Sequence, residues 1–138
     1  MKVLLGIAPW RFDDIYPHAM SRKSGWGQDF GLIGGAPEPL GLLYLAAALR
    51  QAGHTVHLLD GIFATRADFM RTIEAERPDL VGLSAMTFGW RETQALAGEI
   101  KRRHPSLPIV AGGSHINAVP MEALEACPAL DYSIAGPG

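Results

Sequence analysis

At 138 residues, 48% of them hydrophobic and 19% charged, the chain is long enough for one packed domain and too apolar to be a disordered or fibrous segment. A formal net charge of -2 excludes the clustered basic face that a nucleic-acid backbone requires, and the single cysteine, Cys127, excludes an internal disulfide or a cysteine-only metal site within one chain. No apolar run approaches the roughly 18 residues of a membrane span, and the short stretch after Lys2 runs into Pro9 where a signal peptide would continue, so a reducing, cytoplasmic setting is expected.

Taken in order, Lys2 to Ala8 is a continuous apolar run that predicts a first strand, ended by Pro9. The stretch 9–38 has no clean period and reads as one long loop, with glycines at 25, 27, 31, 34 and 35 and the aromatics Trp10, Phe12, Tyr16, Trp26 and Phe30. Aromatics in that number are expected to pack on the domain itself, on a cofactor or on a neighbouring domain. A helix follows from Leu40 to Ala52, with Pro39 beside its first turn and Gly53 as its stop. Its Leu, Tyr and Ala residues nearly encircle it, which predicts a well buried helix.

His54 to Asp60 is the second strand. Arg66 to Arg77 is a helix with Phe69, Met70 and Ile73 on one side, and Pro78 closes it before a third strand at Leu80 to Ser84. The next helix, Arg91 to Arg103, is apolar at Ala95, Leu96 and Ile100 and ends in Lys101-Arg102-Arg103, where cations complement the helix dipole. A fourth strand at Ile109 to Ala111, a short helix at Met121 to Ala126 after Pro120, and a fifth strand at Asp131 to Ala135 complete the series. Strict alternation of this kind predicts one α/β domain over 1–138: a five-stranded parallel doubly wound sheet in the flavodoxin-like order 2-1-3-4-5.

Ligands of such sheets bind outside the carboxyl ends of the strands. Two apolar runs stop abruptly in small or polar residues there: the third in Ser84-Ala85-Met86-Thr87, the fourth in Gly112-Gly113-Ser114-His115. Several ligand classes are excluded by what is missing. Pro9-Trp10-Arg11 stands where a dinucleotide fold carries G-x-G-x-x-G, no phosphate-binding P-loop is present, and no hydroxyl-rich turn follows the first strand to hold a flavin phosphate. A phospho-receiver needs an aspartate where Ser84 stands, and Asp79 lies at the wrong end of that strand. His54 and His57 point to opposite faces of one strand, and His18, His104 and His115 form no pair at ligand spacing, so no metal site is expected. Ser114 beside His115 is adjacency in sequence without the geometry of a nucleophile and its base.

Ser84-Ala85-Met86, followed one helix and one strand later by Gly112-Gly113, resembles the serine-x-leucine and glycine-glycine elements of cobalamin-binding domains. Two glycines permit close backbone approach, and a serine hydroxyl at a strand end offers a hydrogen bond to a buried polar ligand group. The D-x-H-x-x-G element whose histidine coordinates cobalt in methyltransferases and mutases of that group is absent, since Asp14 and His18 do not have its spacing. The stretches Pro39 to His54, Pro78 to Ser84, Gly112 to His115 with Pro120, and Asp131 to Gly136 are together similar to the N-terminal domain of cobalamin-dependent radical S-adenosylmethionine enzymes.

That resemblance implies a Rossmann-like domain holding cobalamin with its dimethylbenzimidazole tail detached from cobalt and no histidine in its place. Ser84 and Thr87 would bond the tail or corrin amides, Met86 would line the slot, Gly112 and Gly113 would admit the tail, and Ser114 and His115 would meet corrin amides. Trp10 and Arg11 would lie below the corrin. Gly136 opens a turn where relatives show glycine-glutamate-glycine and this chain has Gly136-Pro137-Gly138. The family's radical step needs S-adenosylmethionine and a 4Fe-4S cluster on C-x-x-x-C-x-x-C, which one cysteine cannot supply. The resemblance therefore implies a non-catalytic domain truncated from a larger enzyme, with a C-terminal radical S-adenosylmethionine domain as its partner. A scaffold domain that has kept the fold and lost the ligand, and a stand-alone corrinoid carrier, are the alternatives.

Overall fold

The computed structural model describes residues 1–10 and 39–136. Five short strands form one parallel sheet: β1 (Lys2–Gly6), β2 (Thr55–Leu59), β3 (Leu80–Ser84), β4 (Ile109–Gly112) and β5 (Tyr132–Ser133), in the spatial order β2-β1-β3-β4-β5. This is the expected doubly wound arrangement. The helices are α1 (Leu40–Gln51), α2 (Arg66–Glu76), α3 (Trp90–Arg103), α4 (Ser114–Ala118) and α5 (Pro120–Ala126), with one 3-10 turn, Thr87–Gly89, leading into α3.

Local chemistry sets the helix limits. At the end of α1, Gly53 takes φ +84, its N–H donates to the Arg50 carbonyl and that of His54 to the Leu49 carbonyl, the paired bonds that close a helix through a left-handed glycine. A capping box opens α2: the Asp68 N–H donates to Thr65 Oγ1 at 3.2 Å, and the Thr65 N–H to Asp68 Oδ2 at 2.7 Å. The Thr65 hydroxyl, which donates to Asp68 Oδ2 at 2.6 Å, and then the Thr65 N–H hold the Asp68 carboxyl below the usual carboxylate range. Arg77 ends α2 in the left-handed region at φ 49, and Pro78 prevents any continuation.

The two faces of the sheet are covered unequally. One face carries the larger core: Leu4 of β1, Val81 and Leu83 of β3, and Ile109 and Ala111 of β4 pack against Phe69, Met70 and Ile73 of α2 and Leu96, Ala97 and Ile100 of α3. In α3 the buried stripe uses Ala97 with Leu96 and Ile100, while Ala95, one of the apolar positions read from the sequence, is half-buried. Thr93, also buried there, satisfies its hydroxyl by donating to the Gly89 carbonyl at 3.0 Å. Cys127 belongs to this core, and burial pushes its thiol pKa up, as befits a packed residue.

The other face carries α1, which packs through Leu42 and Ala46 on Val3, Leu5 and Val56. The expectation of a well buried α1 is corrected: Leu40, Leu43 and Tyr44 are 58%, 44% and 77% exposed. The helix rests on β1 and β2 by one stripe, and among the described residues no second layer covers the opposite one. Two further differences lie in the last crossover. A helix without a signal in the sequence, α4, stands between Gly113 and Val119, and β5, expected over Asp131 to Ala135, is confined to two residues.

Candidate functional site

Alternation along each strand decides what the uncovered half of the α1 face presents. Val3 and Leu5 of β1 face α1, and their register partners on β3 are Leu80 and Gly82, so Ser84 lies on that face too. Gly82 pairs with Val110 and Ser84 with Gly112. Over β3 and β4 this face therefore shows Gly82, Ser84, Val110 and Gly112, three of them with little or no side chain. Among the described residues no helix lies across them; Ser84, Val110 and Gly112 are half-buried. Leu5 packs over Gly82, its Cδ2 standing 2.7 Å from where a Cβ would lie, so the result is a shallow trough over Ser84, Val110 and Gly112, walled on one side by α1 and Leu5 and opening at the carboxyl ends of the strands.

Ser84 and the glycine pair are thus direct neighbours, as expected, but the two glycines are there for different reasons. Gly113 has φ +102 and ψ -175, a region that residues with a Cβ hardly enter. An added Cβ would stand 2.7 Å from the Ala85 carbonyl oxygen and 3.0 Å from the Ala85 nitrogen. That backbone is fully engaged, the Ala85 N–H donating to the Gly112 carbonyl at 2.7 Å and the Ala85 carbonyl accepting from the His115 N–H at 3.0 Å. Gly113 is therefore a turn that seats the β4 end on the β3 end, and the space at its position is filled by the protein itself. At Gly112 the nearest atom to an added Cβ is the Ile134 carbonyl oxygen at 3.6 Å, an ordinary contact. Of the two glycines, it is Gly112 that stands beside open space.

The remaining expected residues fall around the mouth of the trough. Met86 is half-buried and Thr87 exposed at the start of the 3-10 turn after β3. Ser114, exposed, begins α4, and the imidazole of His115 stacks on the Trp90 indole with ring centroids 4.5 Å apart. Trp10 reaches the same end from β1 and meets Phe88 edge-on at 5.1 Å; its Nε1–H is buried with no acceptor among the described residues. Gly136 closes the turn after β5 at φ +105, its N–H donating to Asn117 Oδ1 at 2.7 Å. Arg11, the rest of the 9–38 stretch with Asp14 and His18, and Pro137 and Gly138 lie outside the described residues.

Sequence reasoning missed Trp90 and Asn117. Trp90 heads a helix directly after a strand-end loop, a position that in itself singles out no partner. Asn117, an exposed helix residue of low helix propensity, left only that weak signal.

Two grooves elsewhere are unrelated to this constellation. One of about 740 Å³ runs along the free edge of β2 beside α2, past His57, Asp60, Phe63 and Arg71. Another of about 600 Å³ lies at the amino ends of the strands, between Arg77 and Pro108. Neither is lined by Ser84, Gly112 or Gly113. Among the described residues no cluster of three metal-ligating side chains occurs, and no helix is long and apolar enough to cross a membrane.

The family model of the B12 binding domain matches residues 30–138 of this chain. The chain is 31% identical over 109 residues to an uncharacterized methyltransferase, PH0819, of Pyrococcus horikoshii, covering 78% of this chain and 24% of that protein. It is 36% identical over 89 residues to the hopanoid C-3 methylase of Methylococcus capsulatus, with 64% and 17% covered. Among solved structures, a cobalamin-binding protein from Desulfitobacterium hafniense superposes with a TM-score of 0.65 at 13% identity, over 96% of this chain and 52% of that one. The cobalamin-dependent S-adenosylmethionine radical enzyme OxsB, with aqua-cobalamin and S-adenosylmethionine bound, superposes with a TM-score of 0.67 at 18% identity, over 94% and 16%. At these identities the structural likeness establishes the fold. The chain spans about a quarter or less of the curated relatives it matches.

Proposed function

The chain belongs to the B12-binding domain family, and on that premise we propose that it holds cobalamin base-off, with no histidine on the cobalt, as the N-terminal domain of a radical S-adenosylmethionine enzyme. The observation that carries this reading is the pairing of Ser84 with Gly112 on a sheet face that α1 covers only over β1 and β2. A flat heterocyclic tail needs a slot free of side chains and a hydrogen bond at its end. Gly112 leaves the slot, with Leu5 packed over Gly82 as its inner boundary, and the Ser84 hydroxyl makes no hydrogen bond to any other described residue and is available for it.

At the mouth, Thr87 and Ser114 offer exposed hydroxyls to corrin amides, Met86 lines the entrance, and the buried Trp10 N–H, without an acceptor among the described residues, would donate to a corrin or phosphate oxygen. His115 is engaged against Trp90, which favours a contact with the corrin rim over ligation of the metal. When bound, cobalamin would supply a redox-active cobalt centre for methyl transfer or for cyclisation and rearrangement. The residues of this chain bind and orient that cofactor. With Cys127 as the one cysteine and buried, the 4Fe-4S cluster and S-adenosylmethionine of the parent enzyme belong to another domain, as does the choice between methyl transfer and cyclisation or rearrangement.

The test is to mix the chain with hydroxocobalamin, remove free cofactor by desalting, and record the absorption spectrum. Retained corrinoid with a base-off spectrum, unchanged in His115→Ala, is the expected result. No retention at high micromolar concentration refutes the reading and leaves a scaffold domain of the same fold.

A further inference from the structure

We infer that Asn117 is a positioning residue of the cofactor opening, tying the turn after β5 to the first turns of α4 so that Ile134 to Gly136 stand as a fixed wall beside Gly112. The inference rests on the proposed cobalamin function. Up to Ile134 the chain is held by the sheet, the Ile134 N–H donating to the Ala111 carbonyl at 2.8 Å. Its carbonyl oxygen then lies 3.6 Å from where a Cβ on Gly112 would stand, which makes it the nearest boundary of the trough on the β5 side. Ala135 and Gly136 are exposed, and Gly136 turns away at φ +105. Among the described residues the one hydrogen bond that holds this turn is from the Gly136 N–H to Asn117 Oδ1 at 2.7 Å.

The other end of the tie is equally defined. The Asn117 N–H donates to the Gly113 carbonyl at 3.0 Å, so the side chain hangs from the helical turn that the Gly113 kink begins. One residue thereby joins the two rims of the opening, Gly112-Gly113 and Ile134-Gly136. Asparagine is a poorer helix former than alanine and Asn117 is exposed, so neither helix propensity nor burial explains its presence here. Asn117→Ala removes the acceptor while favouring α4, and a loss of cofactor in that variant is therefore not a loss of the helix.

Two measurements on the full chain test this. Amide hydrogen exchange followed by NMR should show the Gly136 N–H protected in the wild type and in Asn117→Asp, which keeps an acceptor oxygen, and unprotected in Asn117→Ala. After loading with hydroxocobalamin, Asn117→Ala should release corrinoid roughly fivefold faster than wild type, the equivalent of one ordinary hydrogen bond, with an unchanged melting temperature and recovery in Asn117→Asp. An unprotected Gly136 amide in the wild type overturns the tie itself. Equal release by wild type and Asn117→Ala overturns the positioning role alone, whereas no retention by the wild type overturns the cobalamin reading and this inference with it.

Discussion

Replacing each glycine of the Gly112-Gly113 pair by alanine should separate a glycine that the fold needs from one that the ligand needs. At Gly113 two costs add. The backbone at φ +102, ψ -175 is strained by about 1–3 kcal/mol for any residue with a Cβ. The new methyl also meets the Ala85 carbonyl oxygen at 2.7 Å and nitrogen at 3.0 Å, backbone atoms that are locked into the β3–β4 junction and cannot swing aside as a side chain would. Relief requires breaking at least one of the two Ala85 hydrogen bonds, each worth about 1 kcal/mol net. The sum is about 3 kcal/mol, a fall in melting temperature of roughly 10 °C for a domain of this size. At Gly112 the methyl finds only the Ile134 carbonyl oxygen at 3.6 Å, so Gly112→Ala should keep stability within about 0.5 kcal/mol of wild type while obstructing the trough. Urea unfolding of both variants, paired with hydroxocobalamin retention, is the assay. A Gly113→Ala protein as stable as wild type, or a Gly112→Ala protein that retains corrinoid as wild type does, would refute the respective argument.

Ser84→Leu should fold, because the side chain enters a face that no described helix covers, yet lose corrinoid retention; a leucine variant that still retains cofactor would place the tail elsewhere. Phe69→Ala removes a fully buried ring from the α2–sheet core, and should cost about 3–5 kcal/mol by urea unfolding, a cost under 1 kcal/mol counting against the packing described. At the other end of the sheet, partial burial pushes the Asp131 carboxyl pKa up, but the Lys101 ammonium at 2.7 Å and the Ile109 N–H outweigh it and hold it below the usual range. A lowered folded-state pKa stabilises above the ordinary value and is lost as pH falls through the folded one, so the deficit of Asp131→Asn should be present at neutral pH and shrink on acidification below about pH 4. The carboxylate is 36% exposed and screened by solvent, so that deficit should stay below about 1 kcal/mol; a deficit independent of pH would contradict the assignment.

The apolar runs and their punctuation were sufficient for the architecture. Leu80 to Ser84 appears as a strand with the limits read from its residues, Pro39 stands at the start of α1 and Gly53 and Pro78 stop helices where expected, and the alternation of periods implies the parallel order that the sheet adopts. These signals are local: a strand buried on both faces must be apolar throughout, and a chain without an N–H or with a left-handed turn must end a helix wherever it stands. Which side of α1 meets the sheet is not local. Its residues are apolar all round, and only packing against β1 and β2 through Leu42 and Ala46 leaves Leu43 and Tyr44 outside. The glycine pair shows the same division. Its presence beside a serine-ended strand was legible, but that Gly113 is demanded by the Ala85 backbone, that the open space lies at Gly112, and that Asn117 reaches Gly136 across the opening depend on atoms brought together from distant parts of the chain, which no residue records by itself.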